Sequence, residues 1–196
     1  MILPIVAYGD PVLRKVAENI NADFPELHTL IANMKETMYN ASGVGLAAPQ
    51  IGKAIRLFVI DASPFAEDED LSEEEKTVLK DFNNVFINPR IINEEGEEWA
   101  FNEGCLSIPD VREDVYRKPK ITIEYQDQEF TTHIETLNGL AARIFQHEYD
   151  HIEGVLFTDK LSSLKKRILK KKLENISKGK VNADYRMRFP NIKNKK

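Results

Sequence analysis

The pattern of hydrophobic and polar positions along the chain predicts an α+β protein. Apolar residues recur at helical spacing in three segments, residues 24–39, 140–151 and 161–176. Asp10 before Pro11 predicts a further short, capped helix. Runs of β-branched and aromatic residues predict strands at residues 56–61, 85–92, 121–125 and 130–135. Pro89 interrupts or ends the second of these strands, and the last two form a hairpin. Because the strands cluster between N- and C-terminal helices, we expect antiparallel or mixed sheets packed around the helix at residues 140–151.

Length and hydropathy limit the organisation of the chain. Its 196 residues are enough for one domain with a hydrophobic core and too few for two. No apolar run approaches the roughly 18–20 residues that a membrane-spanning helix needs. The first seven residues, MILPIVA, lack the basic region and the long apolar region of a secretory signal. We therefore expect a cytoplasmic protein without a membrane partner.

The net charge of −5 conceals a strong asymmetry. Residues 160–196 contain 14 Lys and Arg against two acidic residues, a net charge of +12, so the other 159 residues carry −17. A basic segment on an acidic body favours a polyanion such as RNA, or an anionic membrane surface. The alternative is a solvated helix face followed by a disordered end. A second charged stretch, residues 67–75, has seven acidic side chains in nine and predicts only an exposed loop or short helix.

The sequence His147-Glu-Tyr-Asp-His151 matches the pattern H-E-x-x-H inside a predicted helix. Residues i and i+4 lie one turn apart on the same face, so both imidazoles can reach one cation. Glu148 points in a neighbouring direction, where it can hydrogen-bond a metal-bound water without being a ligand. In such sites the metal lowers the pKa of the water and the carboxylate transfers its proton.

Two imidazoles do not complete a metal site, because a third protein ligand is needed. The nearby downstream candidates are all carboxylates, Glu153, Asp159 and Glu174. Upstream, the single cysteine of the chain, Cys105, lies in a turn-like segment between strands. A lone cysteine forms no intramolecular disulfide and is by default a small buried hydrophobe. As a thiolate it would suit iron, cobalt, nickel or zinc.

A third segment, Gly43-Val-Gly-Leu-Ala-Ala-Pro-Gln50, is rich in small residues. Small residues permit close approach of a ligand to the backbone, and Gln50 places a neutral amide donor at the end of the segment. The segment does not resemble a phosphate-binding loop. The alternative interpretation is a plain connection from helix to strand.

Together the three segments closely resemble the peptide deformylase family, whose motifs are G-φ-G-φ-A-A-x-Q, E-G-C-x-S and H-E-x-x-H with Asp at the fourth position. All three are complete and in the family's order, at residues 43–50, 103–107 and 147–151. The resemblance extends from the N-terminal helices to about Asp159. It implies an α+β enzyme that removes the formyl group from the N-terminal formyl-methionine of new bacterial polypeptides and releases formate. It also implies one metal ion per chain, with Fe²⁺ as the native metal and Zn²⁺, Ni²⁺ or Co²⁺ as substitutes.

The resemblance implies a role for each matching residue. The ligands would be Cys105, His147 and His151, with Glu148 as general acid/base, while Gln50 and the backbone N–H of Leu106 would stabilise the oxyanion. Val44, Gly45 and the segment near Leu140 would contact the peptide. The side chains available for an apolar methionine pocket are Val44, Phe101, Leu140 and Ile144. We also expect an Asp150–Arg117 contact that holds the helix against the cysteine segment, with Glu103 hydrogen-bonded near the ligands.

The resemblance also bears on domains and partners. We assign residues 1–176 to a single catalytic domain and residues 177–196 to a basic C-terminal tail. Members of the family act on chains leaving the ribosome, and their C-terminal helix can dock on it. The charge of +12 at this end is compatible with contact to ribosomal RNA.

Three alternatives differ in chemistry. An H-E-x-x-H metallopeptidase that cuts internal peptide bonds would require neither Cys105 nor Gln50. A non-enzymatic protein would keep the metal for structure and bind nucleic acid through its tail, but it would not need the non-ligand Glu148. A cysteine hydrolase is disfavoured because metal ligation would consume the Cys105 thiolate.

Overall fold

The computed structural model describes residues 1–191. Within this range the helices are α1 (Leu27–Asn40), α2 (Glu73–Asp81), α3 (Gly139–Ile152) and α4 (Ser163–Ser177). The strands are β1 (Ile5–Val6), β2 (Gly45–Ala47), β3 (Leu57–Asp61), β4 (Asn83–Glu95), β5 (Trp99–Cys105), β6 (Ile108–Arg117), β7 (Lys120–Gln126), β8 (Thr132–Asn138) and β9 (Met187–Arg188). Short 3₁₀ helices connect them, including one at Pro11–Arg14 that Asp10 caps by accepting from the N–H of Val12. None of the helices within residues 1–191 is long and apolar enough to cross a membrane.

A five-stranded antiparallel sheet, in the order β2-β3-β4-β7-β8, divides the hydrophobic core. β3 is buried on both sides: Phe58 and Ile60 face α3, whereas Leu57 and Val59 face α1. Phe145 of α3 packs against Phe58 at a ring distance of 5.1 Å. The expected α+β class, with antiparallel sheets around the helix that carries H-E-x-x-H, is confirmed.

The strand predicted around Pro89 runs through that residue as part of β4. The register against β7 shifts between Ile87 and Arg90, and Asn88 adopts a left-handed conformation with φ +50°. The side chain of Arg56 donates to the carbonyl of Pro89, and the backbone N–H of Asn88 donates to the carbonyl of Arg56. A bulge therefore interrupts the strand without ending it.

Two small sheets lie beside the main one. β5 and β6 form a hairpin whose tip carries Cys105, a strand pair where the sequence indicated only a turn between strands. β1 and β9 pair in parallel and join the two ends of the described chain. The boundary between a domain at residues 1–176 and a tail at residues 177–196 stays a prediction. Residues 177–191 pack on the body, and residues 192–196 lie outside the described part.

Candidate metal centre

The metal-ligand candidates converge where the tip of the β5–β6 hairpin meets α3. One donor atom each from Cys105, His147 and His151 lies within 4.8 Å of the other two. The Sγ atom of Cys105 is 3.3 Å from Nε2 of His151. Across residues 1–191 no other three His, Cys, Asp or Glu side chains come together in this way.

The carboxylates considered as alternative third ligands are engaged elsewhere. Glu153 forms an ion pair with Arg56 at 2.6 Å, and Asp159 pairs with Arg14. Glu174 is exposed on α4. Cys105 is therefore the residue that completes a three-ligand donor set with the two histidines.

Both imidazoles are prepared for ligation. Nδ1 of His147 lies 2.9 Å from Oε2 of Glu103, and donation of its proton there leaves Nε2 free to bind a metal. His151 is buried, and burial holds its pKa well below the ordinary value. A neutral imidazole is the form that binds a metal. The arrangement of the two rings therefore fits the binding of a cation.

Glu148 points into the site from the same helix. Its side chain is buried, and Oε2 has no hydrogen-bond partner among the described residues. Burial raises its pKa to about 7. Gly45 makes room for this carboxylate, because a Cβ there would lie 2.7 Å from Cδ of Glu148. A carboxyl that titrates near neutrality can both accept and return a proton.

The amide of Gln50 has a defined orientation. Its Oε1 accepts from the N–H of Ala47 at 2.8 Å, which turns Nε2 towards Sγ of Cys105 at 3.5 Å and Oγ of Ser107 at 3.4 Å. Leu106 follows Cys105 in the turn of the hairpin. The structure therefore places a side-chain donor and the backbone of Leu106 beside the cysteine, on the open side of the site.

A buried network of charges supports the ligands. Glu103 accepts hydrogen bonds from Arg117, from Arg143 and from His147. Although burial opposes it, these bonds hold the pKa of Glu103 far below its usual range. Arg117 also donates to Oδ2 of Asp150 at 2.6 Å, the contact expected from the sequence. The sequence did not lead us to predict a role for Arg143. A charged residue on the apolar face of the helix at residues 140–151 was the signal that could have indicated one.

A cavity of about 580 Å³ opens onto the metal centre. Of the residues expected to line a substrate pocket, Val44, Gly45, Phe101 and Ile144 do so. Leu140 does not: it lies in the first turn of α3 and packs into the hydrophobic core, where it is 7% exposed. The sequence did not predict two further parts of the cavity wall. These are Phe65 and the mostly polar residues Asn182, Ala183, Asp184 and Tyr185.

Comparison with known proteins agrees with this geometry. A family model described as polypeptide deformylase matches residues 2–167. The chain belongs to the polypeptide deformylase family. The resemblance expected from the three motifs is thereby confirmed. Membership makes the chain a metal-dependent hydrolase, and the reaction of the family is removal of the N-formyl group from new polypeptides. The metallopeptidase and non-enzymatic alternatives lose their support.

Individual relatives match over nearly their whole length. The chain is 68% identical to a peptide deformylase from Christiangramia forsetii, over 98% of each chain, and 56% identical to one from Cytophaga hutchinsonii, over 97% of this chain and 98% of the relative. Among solved structures, the family member from Thermus thermophilus has a TM-score of 0.76 at 40% identity, covering 90% of this chain and 98% of its own. The member from Legionella pneumophila also has a TM-score of 0.76, at 38% identity, covering 92% and 98%.

Proposed function

We propose that this site carries out the deformylase reaction with Cys105, His147 and His151 as metal ligands and Glu148 as general acid/base. The observation that carries the proposal is a three-ligand donor set beside a buried carboxylate without a hydrogen-bond partner among the described residues. One thiolate and two imidazoles fit a divalent transition metal and leave a coordination position open. An ion held by Cys105, His147 and His151 would supply the Lewis acidity that makes water a nucleophile near neutral pH.

Glu148 moves the proton in this scheme. Its Oε2 accepts a proton from the attacking water as the water oxygen bonds to the formyl carbon. The same carboxyl then protonates the departing amine nitrogen as the C–N bond breaks. The products are formate and a polypeptide with a free amino terminus. A pKa of about 7 suits a group that must hold the proton between these two steps.

Gln50 stabilises the negative charge that develops on the formyl oxygen. Because Oε1 is fixed by Ala47, Nε2 stays directed at the open side of the centre. The backbone N–H of Leu106 is the second donor in this proposal. Fixed donors of this kind typically contribute about 3–4 kcal/mol each to transition-state stability.

The cavity walls select the substrate. Val44, Phe65, Phe101 and Ile144 form an apolar surface suited to the methionine side chain. A formyl carbon bears only hydrogen, so a narrow site beside Gly45 admits it and excludes an acetyl group. We assign formyl-methionyl polypeptides in the cytoplasm as the substrate.

Fe²⁺ is the proposed native metal, with Zn²⁺, Ni²⁺ or Co²⁺ as substitutes. The donor set accepts all four, so metal analysis of protein purified without oxygen tests the assignment. The iron form should lose activity in air, because oxidation of either the metal or the Cys105 thiolate breaks the centre. Iron protein that stays active for days in air would contradict this part of the proposal.

Glu148→Ala tests the mechanism. We expect the variant to retain its metal and to lose about 10²- to 10⁴-fold in turnover of a formyl-Met peptide, the usual contribution of general acid–base catalysis. Glu97→Ala, at an exposed residue between β4 and β5, is the matched control. An acetylated peptide and an unformylated peptide with an internal methionine should not be cleaved. Full activity of Glu148→Ala would overturn the proposed mechanism.

We further propose that α4 brings the enzyme to the ribosome. Exposed basic side chains at Lys166, Lys170 and Lys171 line α4, and Leu173 and Ile176 pack on the body. The basic charge suits the phosphates of ribosomal RNA.

Neutralising these lysines tests the ribosome proposal. The triple variant Lys166→Gln, Lys170→Gln and Lys171→Gln should bind ribosomes more weakly and with a flatter salt dependence, since each lost phosphate contact reduces the salt slope by about one. Substituting Lys15, Lys53 and Lys80 on the body instead is the control with equal charge loss. Equal binding by both triple variants would reject the proposal.

A further inference from the structure

The end of the described chain, residues 181–191, forms an extended strap across the body. Its side chains alternate: those that pack inwards are Val181, Ala183, Tyr185, Met187 and Phe189, and the residues between them are mostly polar and exposed. The N–H of Lys180, just before the strap, donates to the carbonyl of Asn175 in the last turn of α4, and β9 pairs with β1. The strap is therefore fixed at both ends.

Between these anchors the strap reaches the metal centre. The hydroxyl of Tyr185 donates a hydrogen bond of 2.7 Å to the backbone carbonyl of Leu106, the residue after the ligand Cys105. Residues 182–185 line the same cavity as the metal ligands. The match to the family model ends at residue 167, so this wall lies beyond the matched segment.

The turn at residues 105–107 is held from several directions. The backbone N–H of Tyr8, just after β1, donates to the carbonyl of Ser107 at 2.8 Å, and Gln50 approaches the hydroxyl of Ser107. Tyr185 holds the same turn at Leu106. Since β1 and β9 are hydrogen-bonded to each other, the N-terminal and C-terminal segments of the described chain hold the turn at residues 105–107 together.

We infer that Tyr185 is a positioning residue of the deformylase reaction, which fixes the Cys105 ligand and the Leu106 amide through its hydrogen bond to the Leu106 carbonyl. The inference rests on the proposed function of the site. A turn released from Tyr185 would present the thiolate and the amide donor at altered angles. These angles affect the rate of catalysis more strongly than they affect substrate affinity. Turnover is therefore the quantity that loss of the Tyr185 hydrogen bond should change most.

Tyr185→Phe removes only the hydroxyl and keeps the ring in place. We expect kcat for a formyl-Met peptide to fall about three- to tenfold, the effect of one neutral hydrogen bond, with KM unchanged within about twofold. In the Co²⁺-substituted protein, the thiolate-to-metal absorption band should shift, because it reports on the Cys105 sulfur. Tyr116→Phe, at an exposed tyrosine of β6, is the matched control and should change neither quantity.

The two readouts separate this inference from the proposed function. An unchanged kcat, or an unchanged cobalt spectrum, in Tyr185→Phe would overturn the positioning role. If the wild-type protein did not deformylate the peptide at all, the proposed function would fail, and the cobalt spectra would still decide whether Tyr185 positions Cys105. Equal circular dichroism of both variants verifies that the comparison is made between folded proteins.

Discussion

At the scale of single residues, Glu103 determines the geometry of the metal centre. Its two oxygens accept from two arginines and from His147, and all three donors come from different parts of the hairpin and α3. Glu103 pairs with Arg117 and Arg143, and Asp150 pairs with Arg117 and with Lys160. A buried carboxylate is retained only when its partners are fixed in this way. The orientation of His147 is thus a consequence of charge pairing behind it.

Gly45 provides a prediction at the same scale. Gly45→Ala should displace Glu148, because the added Cβ would lie 2.7 Å from its Cδ, and kcat should fall at least about tenfold with the metal retained. If the effect acts through Glu148, adding Gly45→Ala to Glu148→Ala should cost less than about twofold more, because coupled residues are not additive. Additive losses in this double-mutant cycle, measured with a formyl-Met peptide, would contradict the explanation.

At the scale of elements, local periodicity in the sequence predicted the helices well, but it did not predict which strands pair when they are distant in the sequence. α3 lies within one residue of its predicted bounds, because its apolar stripe repeats every turn. α1 begins at Leu27, three residues later than predicted. The β5–β6 hairpin was missed because Glu103 and Arg117 are buried charges, which break the alternation that marks a strand. The strap does alternate from Val181 onwards, but its partner strand lies at the opposite end of the sequence.

Asp61 joins three elements and gives a pH-dependent prediction. At the end of β3, its carboxylate accepts from Tyr39 of α1 at 2.7 Å and from Asn83 of β4 at 2.8 Å. Burial opposes ionisation, but hydrogen bonds from Ser63 and Tyr39 lower the pKa of Asp61 below its ordinary value of 3.8. Asp61→Asn should cost about 1–3 kcal/mol of unfolding free energy at neutral pH.

The sign of the pH dependence follows from that lowered pKa. The stabilisation from ionised Asp61 is complete above its unfolded-state pKa and is lost as pH falls through the lower folded-state value. The difference in urea-unfolding free energy between wild type and Asp61→Asn should therefore be constant above about pH 5 and shrink below pH 3.8. Titration of the metal ligands cancels in this difference, because both proteins share the centre. Asp81→Asn, at an exposed residue of α2, should show no such profile.

At the scale of the whole molecule, the metal centre lies between two parts that form separate sheets. Cys105 belongs to the β5–β6 hairpin, whereas His147 and His151 belong to α3, which packs on the five-stranded sheet. The Glu103 network already joins these parts, and a bound ion adds a second connection. Metal binding should therefore stabilise the entire fold in addition to supporting the reaction, because the ligands come together only in the folded chain.

Metal removal should accordingly lower the melting temperature of the wild-type protein. An ion held at about 100 times its Kd contributes about 2.7 kcal/mol, and at roughly 2–4 °C per kcal/mol for a chain of this size a chelator should lower Tm by about 5–10 °C. Added Zn²⁺ should restore it. Cys105→Ala leaves two imidazoles, too few for a stable site, so the chelator should change its Tm by less than about 2 °C. If the chelator lowered the Tm of Cys105→Ala as much as that of wild type, the thiolate would not be a ligand, and the connection between hairpin and α3 would depend on the Glu103 network alone.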